Sequence, residues 1–158
     1  MSDWLKKESD EFGQGVARAR EKDKHIAASD HWHKILTQLA QDVAFLNAES
    51  VWAPLVKGTP IRIKNDGLGE IRVEKETIDA VYCTVRNHME TIDFDFRIVG
   101  LGFKDKRQWR ESWDVDADAD GSHIMLRDKE NTLVVPEDVS RHILRPIVDV
   151  LKQEASAT

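Results

Sequence analysis

The side chains with the clearest chemical potential stand in an acidic stretch at residues 114–121, which reads DVDADADG. Asp116, Asp118 and Asp120 alternate with other residues, and Gly121 follows them directly. Calcium takes six to eight hard oxygen ligands, and alternate carboxylates can converge on one ion where a glycine permits a sharp turn. We therefore regard the three aspartates as a candidate calcium site, with magnesium or manganese as lesser alternatives.

The acidic stretch resembles the first half of an EF-hand calcium loop, but its second half departs from that pattern. His123 stands where the loop has an aliphatic residue, and Arg127 stands where it has a bidentate glutamate. Asp128 could replace that glutamate only along a changed backbone path, and the flanks have the patterns of strands rather than helices. The alternative interpretation is a solvated hairpin turn that bends at Asp120 and Gly121.

A basic segment precedes the acidic stretch at residues 104–110, KDKRQWR. Cations beside an aromatic ring can bind phosphates and stack on a base, so Arg107, Trp109 and Arg110 are candidate binding residues. Carboxylates flank the segment, and the formal net charge of the chain is −6. We therefore expect a solvated loop that neutralises the aspartates, and the composition argues against a nucleic-acid partner.

The histidines and the single cysteine show no spacing typical of a catalytic or metal site. His31 and His33 are two residues apart on a predicted helix, so their side chains point in different directions. Cys83 shares a strand face with apolar residues and is predicted to be a buried thiol, and a pair with His88 has no motif behind it. We assign no catalytic residue, and the sequence leans away from an enzyme.

The centre of the predicted fold is a pair of strands in residues 79–103, joined by a turn at residues 87–90. Apolar residues occupy every second position of both strands, namely Val81, Cys83, Val85, Ile92, Phe94, Phe96 and Ile98. Alternation with a period of two predicts a sheet with one buried face and one wet face. Helices before and after these strands must cover the buried face.

Residues 2–48 have helical periodicity in two apolar stripes that are out of register. The first stripe contains Leu5, Phe12, Val16, Ala19 and Ile26, and the second contains Trp32, Leu36, Leu39, Val43 and Leu46. Ser29 or Asp30 between them could cap a new helix. We therefore predict a polar helix within residues 1–28 that is either frayed or separate, followed by a firm helix from about residue 30 to residue 48.

The polar N-terminal helix has two interpretations. Its thin apolar stripe could lie on the sheet, or the helix could project and pair with a second copy, because an isolated polar helix is only marginally stable in water. The stripe is shorter than the three or four heptads typical of a coiled coil. Self-association through this helix is therefore a hypothesis that the sequence raises without deciding.

The remaining elements alternate with short turns. Asn65, Asp66 and Gly67 predict a hairpin turn, and further strands are expected near Trp113, at residues 122–127 and at residues 132–135. Pro136 opens a final helix, which Pro146 should kink or divide. The pattern predicts an α+β fold with N-terminal helices, an antiparallel meander of five to seven strands, and a C-terminal helix on the sheet. Residues 29–153 form one predicted domain, and residues 154–158 a disordered tail.

Composition limits location and function only coarsely. The single cysteine excludes an internal disulfide, and no run of about 20 apolar residues predicts a membrane span. The first residues lack a signal-peptide core, so we expect a cytoplasmic protein. Three hypotheses remain: a non-catalytic interaction or accessory module that self-associates, a small-molecule binder or enzyme with a pocket between sheet and helices, and a cation-regulated module.

Overall fold

The computed structural model of the protein describes residues 2–100, 106–117 and 124–157, which form helices and one seven-stranded sheet. The helices are α1 (Asp3–Ala48), the single turn α2 (Ala53–Val56) and α3 (Pro136–Ala157). The strands are β1 (Arg62–Asn65), β2 (Glu70–Glu76), β3 (Asp79–Asn87), β4 (Thr91–Gly100), β5 (Lys106–Ala117), β6 (Ile124–Arg127) and β7 (Leu133–Val134). Each strand is antiparallel to the next in chain order, which confirms the predicted α+β meander.

The central hairpin of β3 and β4 has the predicted turn and the predicted buried face. Cys83 pairs with Phe96 and Val85 pairs with Phe94, and all four side chains are buried. Met89 in the connecting turn has a φ of 71°, in the left-handed region that tight turns use. The period-two alternation thus identified the side of the sheet that the helices cover.

The turn between β1 and β2 is held by the side chains that predicted it. The Asn65 side chain accepts a hydrogen bond from the Gly67 N–H at 2.9 Å, and the Asp66 side chain accepts one from the Leu68 N–H at 2.7 Å. Gly67 and Gly69 have φ values of 77° and 89°, which side-chain-bearing residues rarely adopt. Local side-chain hydrogen bonds and glycine together close this hairpin.

The C-terminal half of α1 and the whole of α3 pack on the same face of the sheet and against each other. Ser140 of α3 donates a hydrogen bond to Asp42 of α1 at 2.6 Å. The Asn47 side chain bonds both the N–H and the carbonyl of Ile61, which fixes the end of α1 beside the start of β1. The largest fully buried apolar side chains are Phe94, Phe96, Ile35, Leu39, Ile71, Leu126, Ile143, Ile147 and Leu151.

The structure corrects the predicted division of the first 48 residues. α1 continues without interruption from Asp3 to Ala48, so no new helix starts at Ser29 or Asp30. The two apolar stripes are out of register because they lie on different faces of one helix, and a change of face needs no break in the backbone. Ala28 is buried, and Ile35 and Leu39 further along the same helix belong to the hydrophobic core.

The structure also corrects the predicted C-terminal tail. α3 runs through Pro146 to Ala157, so the proline does not divide the helix, and residues 154–157 are helical rather than disordered. Glu154 is buried and makes an ion pair with Lys75 of β2. This polar contact, which no apolar pattern signals, holds the last turn of the helix on the sheet.

A third correction concerns the basic segment at residues 104–110. Residues 106–110 belong to β5, the longest strand, where the sequence predicted a solvated loop and a strand beginning only near Trp113. The charges of the segment suggested a loop, but residues 106–114 of β5 pair with β4, with Phe96 opposite Trp109 and Ile98 opposite Arg107. The hydrogen bonds of this long ladder outweigh the polar composition.

Candidate functional site

Two of the three candidate binding residues lie together on the core face of β5, and the third lies on the opposite face. Side chains alternate along a strand, so Arg107 and Trp109 share a face with the buried Trp113, whereas Arg110 points the other way. Trp109 stacks on Phe96 with ring centroids 4.9 Å apart and an interplanar angle of 15°. Trp109 is only partly buried, because α3 does not cover this end of the sheet completely.

Arg107 and Trp109 line a cleft of about 460 Å³ between the sheet and the C-terminal half of α3. Asp79, Ile98 and Gly100 complete the sheet wall at the ends of β3 and β4. The helix wall consists of Arg145, Pro146, Asp149, Val150 and Gln153. The cleft therefore combines aromatic and aliphatic surface with two guanidinium groups and two carboxylates, a mixture typical of small-molecule sites.

The two arginines of the cleft differ from Arg86 and Arg110 on the outer face of the sheet. Arg107 and Arg145 are exposed, and neither makes an ion pair with any residue that the structure describes. On the outer face, the Arg86 Nε lies 2.7 Å from Glu70 and the Arg110 Nε lies 3.3 Å from Asp95. The cleft arginines thus keep their hydrogen-bonding capacity for another group.

Arg110, the third candidate, belongs to an outer face on which charges of opposite sign alternate across strands. Glu74 is buried on this face because Arg72 and Lys64 approach it at 3.1 and 3.3 Å. Ser112 donates a hydrogen bond to Asp93 at 2.7 Å. Much of the polarity of the outer face is therefore internally paired, which leaves little positive charge for phosphates.

The acidic stretch is only partly within the described residues. Asp116 is exposed near the end of β5, where it pairs with Met125 of β6. Asp118 and Asp120 lie outside the described residues, so the calcium hypothesis stays a prediction. Within the described ranges, no group of three or more histidine, cysteine, aspartate or glutamate side chains could hold a metal ion.

Lys75 and Glu154 form a buried ionic network beside the cleft. The Lys75 ammonium donates to Glu154 and, at 2.5 Å, to the Asp79 carbonyl. Glu154 also accepts hydrogen bonds from the Asp79 N–H and from the Thr77 hydroxyl, both at 3.1 Å. The network joins the end of α3 to the turn between β2 and β3, and its charges are fully partnered.

A histidine and a carboxylate meet where α3 crosses β5. His142 Nε2 lies 2.7 Å from Glu111 Oε2, within the distance of an ion pair when the imidazole is protonated. The imidazole also contacts the rings of Phe94 and Trp113, with centroids 4.8 and 4.4 Å away. Burial lowers the pKa of His142 below its ordinary value, and the neighbouring Glu111 opposes that shift without cancelling it.

Cys83 is the buried thiol that the strand pattern predicted. Burial, with a smaller contribution from Asp95, raises the pKa of this thiol far above its ordinary range. A thiol held in its neutral form is a poor nucleophile, since thiolate is the reactive species. The structure thus places Cys83 in the core rather than in a reactive site.

The N-terminal part of α1 is a second candidate surface. Every residue from 2 to 20 is exposed, including the aromatic residues Trp4 and Phe12, whose exposed fractions are 68% and 76%. At 3.6 residues per turn, Leu5, Phe12 and Val16 fall within a sector of roughly 40°. That sector lies roughly 160° around the helix from the face that packs into the core. The exposed stripe therefore points away from the body of the protein.

Comparison with protein-family models, with curated proteins and with solved structures finds no match to this chain. Among the described residues, no helix is both long enough and apolar enough to cross a membrane. Function is therefore inferred from the chemistry of the cleft and of the projecting helix.

Sequence reasoning missed several residues of these sites. Arg145 and Asp149 are four residues apart, which places them on one helix face, but their position opposite β5 depends on how α3 lies on the sheet. Glu111 and Lys75 interrupt apolar faces of their strands. The sequence signal that could have identified Glu111 and Lys75 is a charged residue at a core-face position of a strand. A charge at such a position needs a partner from another element of the fold.

Proposed function

We propose that this protein is a self-associating interaction module in which the projecting part of α1 pairs with the same segment of a second copy. The observation that carries this proposal is a helix over residues 3–20 whose side chains, Phe12 included, are all exposed. Most helical stability in proteins comes from packing an apolar face, and an isolated helix is marginal in water. A partner on the exposed stripe would supply the missing packing.

The charge distribution of the helix favours a second copy as that partner. Residues 3–11 carry a formal charge of −2, and residues 18–22 carry +2. Antiparallel pairing about a two-fold axis near Gln14 sets the acidic part of each helix beside the basic part of the other. Parallel pairing would set like charge beside like charge, which is unfavourable. The helix is thus complementary to itself in the antiparallel direction, as a two-fold symmetric interface requires.

The shape of the stripe also suits antiparallel pairing about this point. Phe12 of one copy would lie beside Val16 of the other, on either side of the axis. Gly13 and Gly15 lie at the height of the axis but roughly 80° to either side of the stripe, so they flank the proposed contact and add no bulk beside it. The stripe points away from the sheet, so a partner need not displace the core.

The first test is the association state of the full-length chain by analytical ultracentrifugation. We expect a concentration-dependent dimer in the wild type, and Phe12→Glu should weaken it at least about tenfold by placing a charge in the centre of the interface. Val51→Glu is the matched control, because Val51 is 84% exposed outside this stripe. Its dimer should be unchanged. A wild type that remains monomeric at about 0.1 mM would refute the proposal.

Charge reversal tests the direction of pairing. Changing Glu8, Asp10 and Glu11 to lysine should weaken an antiparallel dimer, because basic halves would then face each other. Changing Arg18, Arg20 and Lys22 to glutamate in the same chain should restore it, because the halves become complementary again. In a parallel dimer, halves of the same charge face each other in every one of these variants, so the second set of changes would not restore the dimer.

A further inference from the structure

We propose that the cleft between α3 and the ends of β3, β4 and β5 is a binding site for a small aromatic acid. The observation behind this assignment is that Arg107 and Arg145, which come from different elements and make no ion pair with the described residues, line one cleft with the partly exposed ring of Trp109. This site is separate from the projecting helix and does not depend on self-association.

The arginines define the charge of the ligand. A guanidinium group carries several N–H donors in a fixed plane and binds carboxylate, sulfonate or phosphate oxygens with charge-assisted hydrogen bonds. Arg107 comes from β5 and Arg145 from α3, so one anionic group between them would bridge the two walls of the cleft.

Trp109 defines the planar part of the ligand. Its stacking on Phe96 over the sheet holds the indole in place, and its partial exposure leaves surface towards the cleft. Ile98 and Val150 add aliphatic surface on either side. An aromatic ring of a ligand on this surface would bury its apolar area and would also stack, in an offset arrangement, on the indole of Trp109.

Asp79 and Asp149 limit the class of ligand further. Both carboxylates line the cleft, so they repel polyanions and accept hydrogen bonds from N–H or O–H groups. The volume of about 460 Å³ is within the range of small-molecule sites and suits a compact ligand rather than a polymer. An aromatic acid with one anionic group and a hydrogen-bond donor meets all of these conditions.

The test uses 8-anilinonaphthalene-1-sulfonate, an aromatic anion with one N–H donor whose fluorescence rises in apolar surroundings. We expect saturable binding to the full-length wild type. Arg107→Gln and Arg145→Gln should each weaken that binding about three- to tenfold, since each removes a charge-assisted hydrogen bond at a partly open site. N-phenyl-1-naphthylamine, which lacks the sulfonate, should bind the wild type more weakly.

Two control variants separate the cleft from other surfaces. Arg141→Gln removes an arginine of α3 that pairs with Glu137 and Asp138 away from the cleft, and it should leave binding unchanged. Phe12→Glu alters the exposed stripe of α1, to which an apolar dye could also bind, and it should leave the affinity of the cleft intact. Retained dye binding in a variant that no longer dimerises would separate the two proposals.

The outcome that overturns the site is equal dye affinity in the wild type and in the Arg107→Gln/Arg145→Gln double variant. Equal affinity for the sulfonate and the neutral amine would overturn it too, because the arginines would then contribute nothing. Circular dichroism and thermal unfolding of each variant establish that a loss of binding is not a loss of folding.

Discussion

At the scale of single residues, ionisable groups on the core face of the sheet connect α3 to the strands. Lys75 and Glu154 make one such connection, and Glu111 and His142 make another. The Lys75–Glu154 ion pair is fully buried, and such burial is favourable only when both partners are present with their hydrogen bonds, so either residue should be sensitive to substitution.

Glu154→Gln should lower the free energy of unfolding by roughly 3–5 kcal/mol, because it leaves the Lys75 charge buried without its counter-charge. Urea unfolding measures the change. The double variant Lys75→Met/Glu154→Gln should lose less than the two single variants together, because it no longer leaves either charge alone. Strict additivity of the two single effects would show that the residues do not act as a pair.

His142 should make the free energy of unfolding fall as pH is lowered through the ordinary histidine pKa of 6.5. Burial lowers its pKa in the folded state, whereas the unfolded chain has the ordinary value of 6.5. The unfolded state therefore takes up the proton first as pH falls below that value, and the free energy of unfolding declines until the folded-state pKa is passed. The slope for one proton is at most about 1.4 kcal/mol per pH unit.

His142→Gln should reduce this decline in urea unfolding between about pH 8 and 5.5. Burial and Lys34 also lower the pKa of His31, so His31→Gln should remove a second share of the decline. Titration of the His142 ring by nuclear magnetic resonance gives the direct check. A value above 6.5 would mean that the contact with Glu111 outweighs burial.

At the scale of elements, turns were the best predicted parts of the chain because their chemistry is local. The hairpin at Asn65, Asp66 and Gly67 depends on side chains that bond their own backbone and on positive φ at glycine. β5 was the worst predicted part. Arg107 and Glu111 stand at core-face positions and hide the alternation that Trp109, Trp113 and Val115 would otherwise show.

Gly69→Ala should destabilise the β1–β2 hairpin by roughly 1–3 kcal/mol in urea unfolding. The φ of Gly69 is 89°, which a residue with a side chain rarely adopts. An added Cβ would also lie 3.4 Å from the Asn87 carbonyl oxygen, so the backbone has little space in which to shift and relieve the strain. Gly58→Ala is the control, because no atom lies within 4 Å of the added Cβ there. Similar losses in both variants would contradict the role of positive φ at Gly69.

At the scale of the whole molecule, α1 presents opposite faces to different surroundings. Its C-terminal half buries Ile35, Leu39 and Val43 against the body, while its N-terminal half leaves Phe12 exposed on the other side. The cleft lies between α3 and the ends of β3, β4 and β5, which are different segments of the chain. The two proposed sites therefore use different segments, and a variant of one should spare the other.

The sequence by itself determined the α+β class, the order of helices and strands, the central hairpin and the buried face of its strands. These features depend on periodicity and turn chemistry, which act over a few neighbouring residues. The domain limits, cytoplasmic location and cation site remain predictions.

Only the tertiary structure decided which charged residues meet. Lys75 and Glu154 are 79 residues apart, and Arg107 and Arg145 line one cleft that exists only when α3 lies on the sheet. Such contacts depend on the packing of whole elements, which no local pattern encodes.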